Sequence, residues 1–150
     1  MWNDTIADYA KDHVKPCKFA HTHGPYGENL AQGYPDITSS IDGWGNERKD
    51  YSFDEGKFDA KTGHFTAMVW KTSTDMGCGA KECGDGGWLL FCEYWPMGNI
   101  IGSFKEQVQR QVTTDVPALG GGAGSGKKDS AGTGDAGSAA SIFGLCNKYV

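Results

Sequence analysis

An α+β fold is predicted by three observations. Apolar residues recur at helical steps before Pro16, a second short helical pattern surrounds His64, and a Gly-rich turn joins two cysteine-bearing apolar runs. The last two features fall within residues 62–99, TGHFTAMVWKTSTDMGCGAKECGDGGWLLFCEYWPMGN, and the rest of the chain is organised around this stretch.

Trp2, Ile6, Tyr9, Ala10 and His13 stand three or four residues apart, which predicts one apolar helical face over residues 2–14. Pro16 ends that helix, and Cys17 follows where a disulfide can pin it. Residues 21–34, HTHGPYGENLAQGY, read as an ordered Gly-rich loop running into a short strand or turn near 29–31, with Glu28 between Gly27 and Asn29. Ile37, Ile41, Trp44 and Arg48 predict a second helix, weakened by Gly43 and Gly45. Glu47 lies three residues after Trp44, on a neighbouring part of the same face. Residues 51–62 have no clean period and read as a loop carrying Tyr51, Phe53 and Phe58.

Thr62 is a good N-cap, and Phe65, Met68, Val69 and Thr72 follow at helical spacing, so His64 falls in the first turn of a short helix. A ring placed there can accept a proton or bind a metal. Trp88, Leu90, Cys92 and Tyr94 alternate with Leu89, Phe91 and Glu93, the pattern of a strand covered on both faces. Gly84, Asp85, Gly86 and Gly87 supply the turn that lets residues 78–81 pair back against it. Ile101, Phe104 and Val108 mark a last packed segment. From 120 to 141 the composition falls to Gly, Ala, Ser, Thr and a few charges, which cannot bury enough apolar surface to offset ordering, so flexibility is predicted there. Residues 142–150 are apolar again and carry Cys146; they either dock locally or stay loose. The expected organisation is one domain over 1–115 and a low-complexity extension over 116–150.

The chain of 150 residues is 38% hydrophobic and contains five Trp, six Tyr and seven Phe, enough for a modest core. A net charge of −5 argues against nucleic acid as a partner. No run approaches the roughly 18 apolar residues of a membrane span. No amino-terminal apolar signal run is read either, so a mature or trimmed chain is expected. Five cysteines sit poorly with a reducing cytosol unless they bind metal; Cys78-x4-Cys83 and Cys83-x8-Cys92 lack paired C-x2-C spacing, which favours disulfides in a secreted domain over zinc. Asn3-Asp4-Thr5 is an N-glycosylation sequon consistent with that compartment.

GHFTAMVW at 63–70, FCEYWPMGN at 91–99 and HTHGPYGENLA at 21–31 look like the signature motifs of the CAP superfamily. This superfamily, also called SCP/TAPS, unites cysteine-rich secretory proteins, antigen-five allergens and pathogenesis-related class one proteins. The resemblance runs from about Trp2 to Val108, with Trp44-x2-Glu47-x3-Tyr51 between the motifs, and the wording GPYGENLA resembles the fungal branch. It implies an α-β-α sandwich with a central antiparallel sheet between helical layers. It also implies disulfides Cys78–Cys92 and Cys17–Cys83, with Cys146 left without a partner. Closing the longer loop would stabilise by about 4 kcal/mol on the chain-entropy account. Three departures stand out: Ala67 replaces a usual Gln, the first helix lacks its customary earlier half, and the family does not require the tail.

In that family two histidines and two glutamates converge in a cleft, and the matching residues are His21, Glu28, Glu47 and His64. Two imidazoles with two carboxylates suit a divalent cation such as Zn or Mg. The bland reading is that the four groups only hydrogen-bond one another and fix the loop around Glu28. His13 and His23 read as ordinary surface or helix-face residues. No Ser or Cys is placed as a nucleophile and no H-E-x-x-H occurs. Tyr51, Phe53 and Phe58 fit the aromatic spacing of a caveolin-binding motif, and their loop is similar to one implicated in sterol binding in fungal relatives. Against this stands simple packing of the aromatics onto the sandwich. The function expected is thus non-enzymatic, extracellular binding of sterols or fatty acids. A metal-dependent hydrolase is the rival, and a cell-surface protein meeting host or cell-wall components is a third reading.

Overall fold

The computed structural model describes residues 1–110. The expected tail, Cys146 and the boundary near 115 lie outside the described residues. In chain order the elements are α1 (Asp4–Val14), β1 (Gly27–Tyr34), α2 (Ile37–Asn46), α3 (Gly63–Met68), β2 (Asp75–Glu82), β3 (Trp88–Trp95) and α4 (Phe104–Gln107). Single 3-10 turns occupy Glu47–Lys49, Ala60–Thr62 and Gly84–Gly86.

The three strands form one antiparallel sheet in the order β1-β3-β2. Central β3 has both edges paired and helices over both faces, so Leu89, Leu90, Phe91, Cys92 and Glu93 are all at most 1% exposed. One face packs Leu89 and Phe91 with Leu30, Ala10 and Val14 of α1; the other packs Leu90, Cys92 and Tyr94 with Ile41, Trp44, Ala67 and Met68 of α2 and α3. Helices therefore flank the sheet on both sides, as the α-β-α sandwich requires. A third cluster, Tyr51, Phe65, Trp70, Phe104 and Val108, closes the α3–α4 end.

Two glycines set the spacing between α1 and β2. A Cβ on Gly77 would stand 2.1 Å from the Ala7 backbone nitrogen, and one on Gly79 would stand 2.4 Å from that of Lys11. Helix backbone thus lies directly on strand backbone, which only glycine allows. Disulfide Cys17–Cys83 fixes the same layer by tying the end of α1 to the end of β2, and Cys78–Cys92 bridges register partners on β2 and β3 on the other face of the sheet.

Local details differ from the sequence reading. Trp2 is not helical: Asn3 caps α1 by accepting from the Thr5 and Ile6 amides, and Trp2 forms a parallel bridge to Met76 on the free edge of β2. β1 is a full eight-residue strand rather than a short one around 29–31. Thr62 precedes α3 without capping it, since its hydroxyl donates back to the Asp59 carbonyl. Thr72 lies beyond the end of α3, which stops at Met68.

Candidate ligand and metal site

The four candidate residues come from four different places. His21 sits in the loop before β1, Glu28 on β1, Glu47 at the 3-10 turn after α2, and His64 in the first turn of α3. They meet two by two. His21 Nδ1 lies 2.5 Å from Glu28 Oε1, and His64 Nδ1 lies 2.7 Å from Glu47 Oε1. Asn29, next to Glu28 on β1, holds the His64 side: its side-chain amide donates to the His64 carbonyl at 3.0 Å and to the Tyr94 hydroxyl at 3.2 Å.

Each pair has its own setting. Glu47 Oε2 also accepts from the Phe65 amide at 3.0 Å, so this distant carboxylate takes up a helix N–H that Thr62 leaves free. The indole of Trp44 stacks on His64, with ring centroids 5.8 Å apart and planes 11° from parallel. Glu28 instead accepts the Thr22 amide on both oxygens, at 3.1 and 3.2 Å. Beside it is an open hollow of about 320 Å³ walled by His21, Thr22, His23, Gly24, Tyr26 and Glu28. His23, read as an ordinary residue, lines that hollow from a left-handed backbone position.

Sequence reasoning passed over Glu93. It is the register partner of Glu28 on the neighbouring strand, it is fully buried, and neither of its oxygens meets a donor among the described residues. Burial first, and the Glu28 carboxylate second, push its pKa up to about 9. Glu93 is therefore a neutral acid at pH 7 and donates its own proton to Glu28. For Glu28, burial opposes the charged form, but hydrogen bonds from Glu93, Thr22 and His21 outweigh it and hold the group below the ordinary glutamate value. An acidic residue inside the apolar run LLFCEYW was the available signal.

Among the described residues no three His, Cys, Asp or Glu side chains are gathered closely enough to ligate one ion directly. What the pairs do offer is orientation. A carboxylate on Nδ1 fixes each ring and leaves Nε2 as the outward nitrogen, the arrangement by which carboxylates orient metal-binding histidines.

The aromatic loop divides. Tyr51 is buried, with its hydroxyl unpartnered among the described residues, and Phe53 packs edge-on against it at 4.9 Å. Both rings also contact Phe65 of α3. Phe58 alone is half exposed, at 50%; it contacts Phe104 and lies along Gly63, the residue before His64.

This topology, with the His–Glu pairs and both disulfides in place, accompanies a match over residues 1–94 to CAP, the cysteine-rich secretory protein family. The chain belongs to that family. It is 43% identical over 113 residues to Protein PRY2 of Saccharomyces cerevisiae, covering 71% of this chain and 34% of that protein. It is 35% identical over 105 residues to Pathogenesis-related protein 1 of Arabidopsis thaliana, covering 66% of this chain and 65% of the plant protein. The chain thus spans about a third of the yeast relative and just under two thirds of the plant one. Among solved structures, Schistosoma mansoni venom allergen-like protein 4 superposes with a TM-score of 0.59 at 32% identity, over 65% of this chain and 68% of that one. CAP proteins are typically secreted, and two disulfides agree with an oxidising compartment. No helix among the described residues is long and apolar enough to cross a membrane.

Proposed function

We propose that this CAP chain acts outside the cell as a non-enzymatic carrier of small hydrophobic molecules, sterols or fatty acids, and that its cleft takes a divalent cation such as Zn or Mg. The observation that carries the lipid half is Phe58, a half-exposed ring laid on the first residue of the helix that bears His64. Tyr51 and Phe53 brace the loop from beneath, so Phe58 is the ring free to cover an apolar ligand, at about 25 cal/mol per Å² removed from water. The cation half rests on two imidazoles whose Nδ1 atoms are already held by carboxylates. The cation would sit on the Nε2 side of these rings, with water completing its shell.

A direct sterol-binding assay tests the lipid half. Phe58→Ala is expected to weaken binding about tenfold while leaving the melting temperature nearly unchanged. Phe53→Ala is expected to lower stability as well. If both variants bind sterol as the parent does, the lipid assignment is wrong.

One observation favours the rival, a metal-dependent hydrolase. Glu28 and Glu93 are neighbouring carboxyl groups held in opposite protonation states, as acid–base pairs in active sites are. Dialysis against a chelator followed by a peptide and ester screen separates the two: metal-restorable turnover, lost in Glu28→Gln, would establish the hydrolase.

A further inference from the structure

The Asn3-Asp4-Thr5 sequon is not explained by the cleft or the aromatic loop. Of the five asparagines in the chain, only Asn3 stands two residues before a Ser or Thr. Its side chain caps α1 through the oxygen, which accepts from the Thr5 amide at 3.1 Å and the Ile6 amide at 3.3 Å. Turning Oδ1 onto the helix end turns Nδ2 away from it, and Nδ2 is the atom that carries an N-linked sugar. Capping and glycosylation therefore use opposite ends of the same amide.

Directly beside Asn3 is a hollow of about 360 Å³, walled by Asn3, Thr5, Ile6, Pro25, Tyr26 and Trp95. This is the size of a small-ligand site. Trp95, the last residue of β3, is 48% exposed even though it is a large apolar ring. Tyr26 meets it edge to face at 6.1 Å and is backed in turn by Tyr9 at 5.1 Å, so the two rings are held in place. A rigid indole with a polar edge next to an amide and a hydroxyl is chemistry suited to a sugar, whose C–H face stacks on the ring while its hydroxyls stay wet.

We propose that Asn3 is an N-glycosylation site and that the first N-acetylglucosamine lies in this hollow against Trp95 and Tyr26. The donor is a lipid-pyrophosphate-linked oligosaccharide of the secretory pathway. Nδ2 forms a bond to the anomeric carbon as the C1–O bond to pyrophosphate breaks. The lipid pyrophosphate leaves with the bonding electrons, and one amide proton passes to a base of the transferase. Thr5 is the residue the transferase reads, and its hydroxyl takes no part in the cap. The proposal depends on the extracellular route and not on the lipid or cation assignment.

The full chain, secreted from a eukaryotic host behind a cleavable leader, supplies the test. Intact mass should fall on treatment with an amidase that removes N-linked glycans, and Thr5→Ala should show no such fall; a parent whose mass does not change overturns the site. Trimming with an endoglycosidase that leaves one N-acetylglucosamine gives a defined form to compare with the same sequence made sugar-free in a bacterial periplasm. The sugar-bearing form should melt at least about 2 °C higher, and Trp95→Ala should erase that gap. An equal gap in Trp95→Ala overturns the stacking. Should Trp95→Ala fail to fold, proton NMR of the trimmed parent decides: sugar protons shifted upfield by the indole ring support the contact, and unshifted ones refute it.

Discussion

The two His–Glu pairs use the same chemistry at nearly the same distance, 2.5 and 2.7 Å, yet they do different work. In the Glu47–His64 pair the carboxylate also accepts the Phe65 amide, and Trp44 covers the ring, so the pair is part of how α3 is held. In the Glu28–His21 pair the imidazole is mostly in solvent, while the carboxylate faces a second, buried acid across the sheet. The first pair is sensitive to deletion, because it caps a helix. The second is sensitive to protons, because it shares one. An ion pair cannot be valued from its distance alone.

Glu93 gives the largest break in this comparison. Its pKa rises from 4.5 in the unfolded chain to about 9 in the folded one. Between those values the folded state holds one more proton than the unfolded state, so stability falls as pH rises, by about 1.4 kcal/mol per pH unit. Glu28, held below 4.5, acts oppositely: its contribution is present above that value and is lost as pH falls through its folded pKa. Stability should therefore peak in mildly acidic solution. Glu93→Gln keeps the shape, donates an N–H to Glu28 and has no proton to lose. Urea melts at pH 5 and pH 8 should show the parent losing on the order of 4 kcal/mol and Glu93→Gln almost none; parallel losses would remove Glu93 as the cause.

Next in size is Glu47→Ala, which strips His64 of its partner and the Phe65 amide of its acceptor. A loss of about 2 kcal/mol in denaturant unfolding is expected. Glu47→Gln, whose amide oxygen still accepts from Phe65, should recover about half of it. If Glu47→Ala costs no more than Glu28→Ala at pH 5, the cap is not what separates the pairs.

Much of this was legible in the sequence, and what was not has common physical causes. α1, the hairpin and the doubly covered strand were readable because their signals are local: apolar spacing, a Gly-rich turn, and a central strand with no polar face. β1 was underestimated because GENLAQGY holds two glycines and an asparagine, all poor strand formers, and only Asn29, Leu30 and Ala31 are buried. Pairing with β3 overrides that propensity. Thr62 looked like the cap of α3, but a carboxylate many residues earlier does that job, and long-range capping leaves no local trace. The four candidate residues were proposed through the family motifs. Their sorting into pairs, and the role of Glu93, depend on sheet register. The aromatic loop was read as one flap, whereas Tyr51 and Phe53 face Phe65 and only Phe58 faces out, a division that spacing alone does not encode.

The smallest stability effect gives the sharpest functional comparison. His21 has 62% of its side chain in solvent, so its ion pair is screened and His21→Ala should change stability by less than about 0.5 kcal/mol. His64, under Trp44 and at 40% exposure, should cost more when truncated, about 1 kcal/mol. If the two rings hold one cation together, the loss of either removes the same ligand count, and calorimetric titration with Zn should weaken equally in both variants despite their unequal stabilities. If zinc affinity follows stability instead, falling in His64→Ala and holding in His21→Ala, then His21 is no ligand and the Glu28 half of the cleft handles a proton rather than a metal.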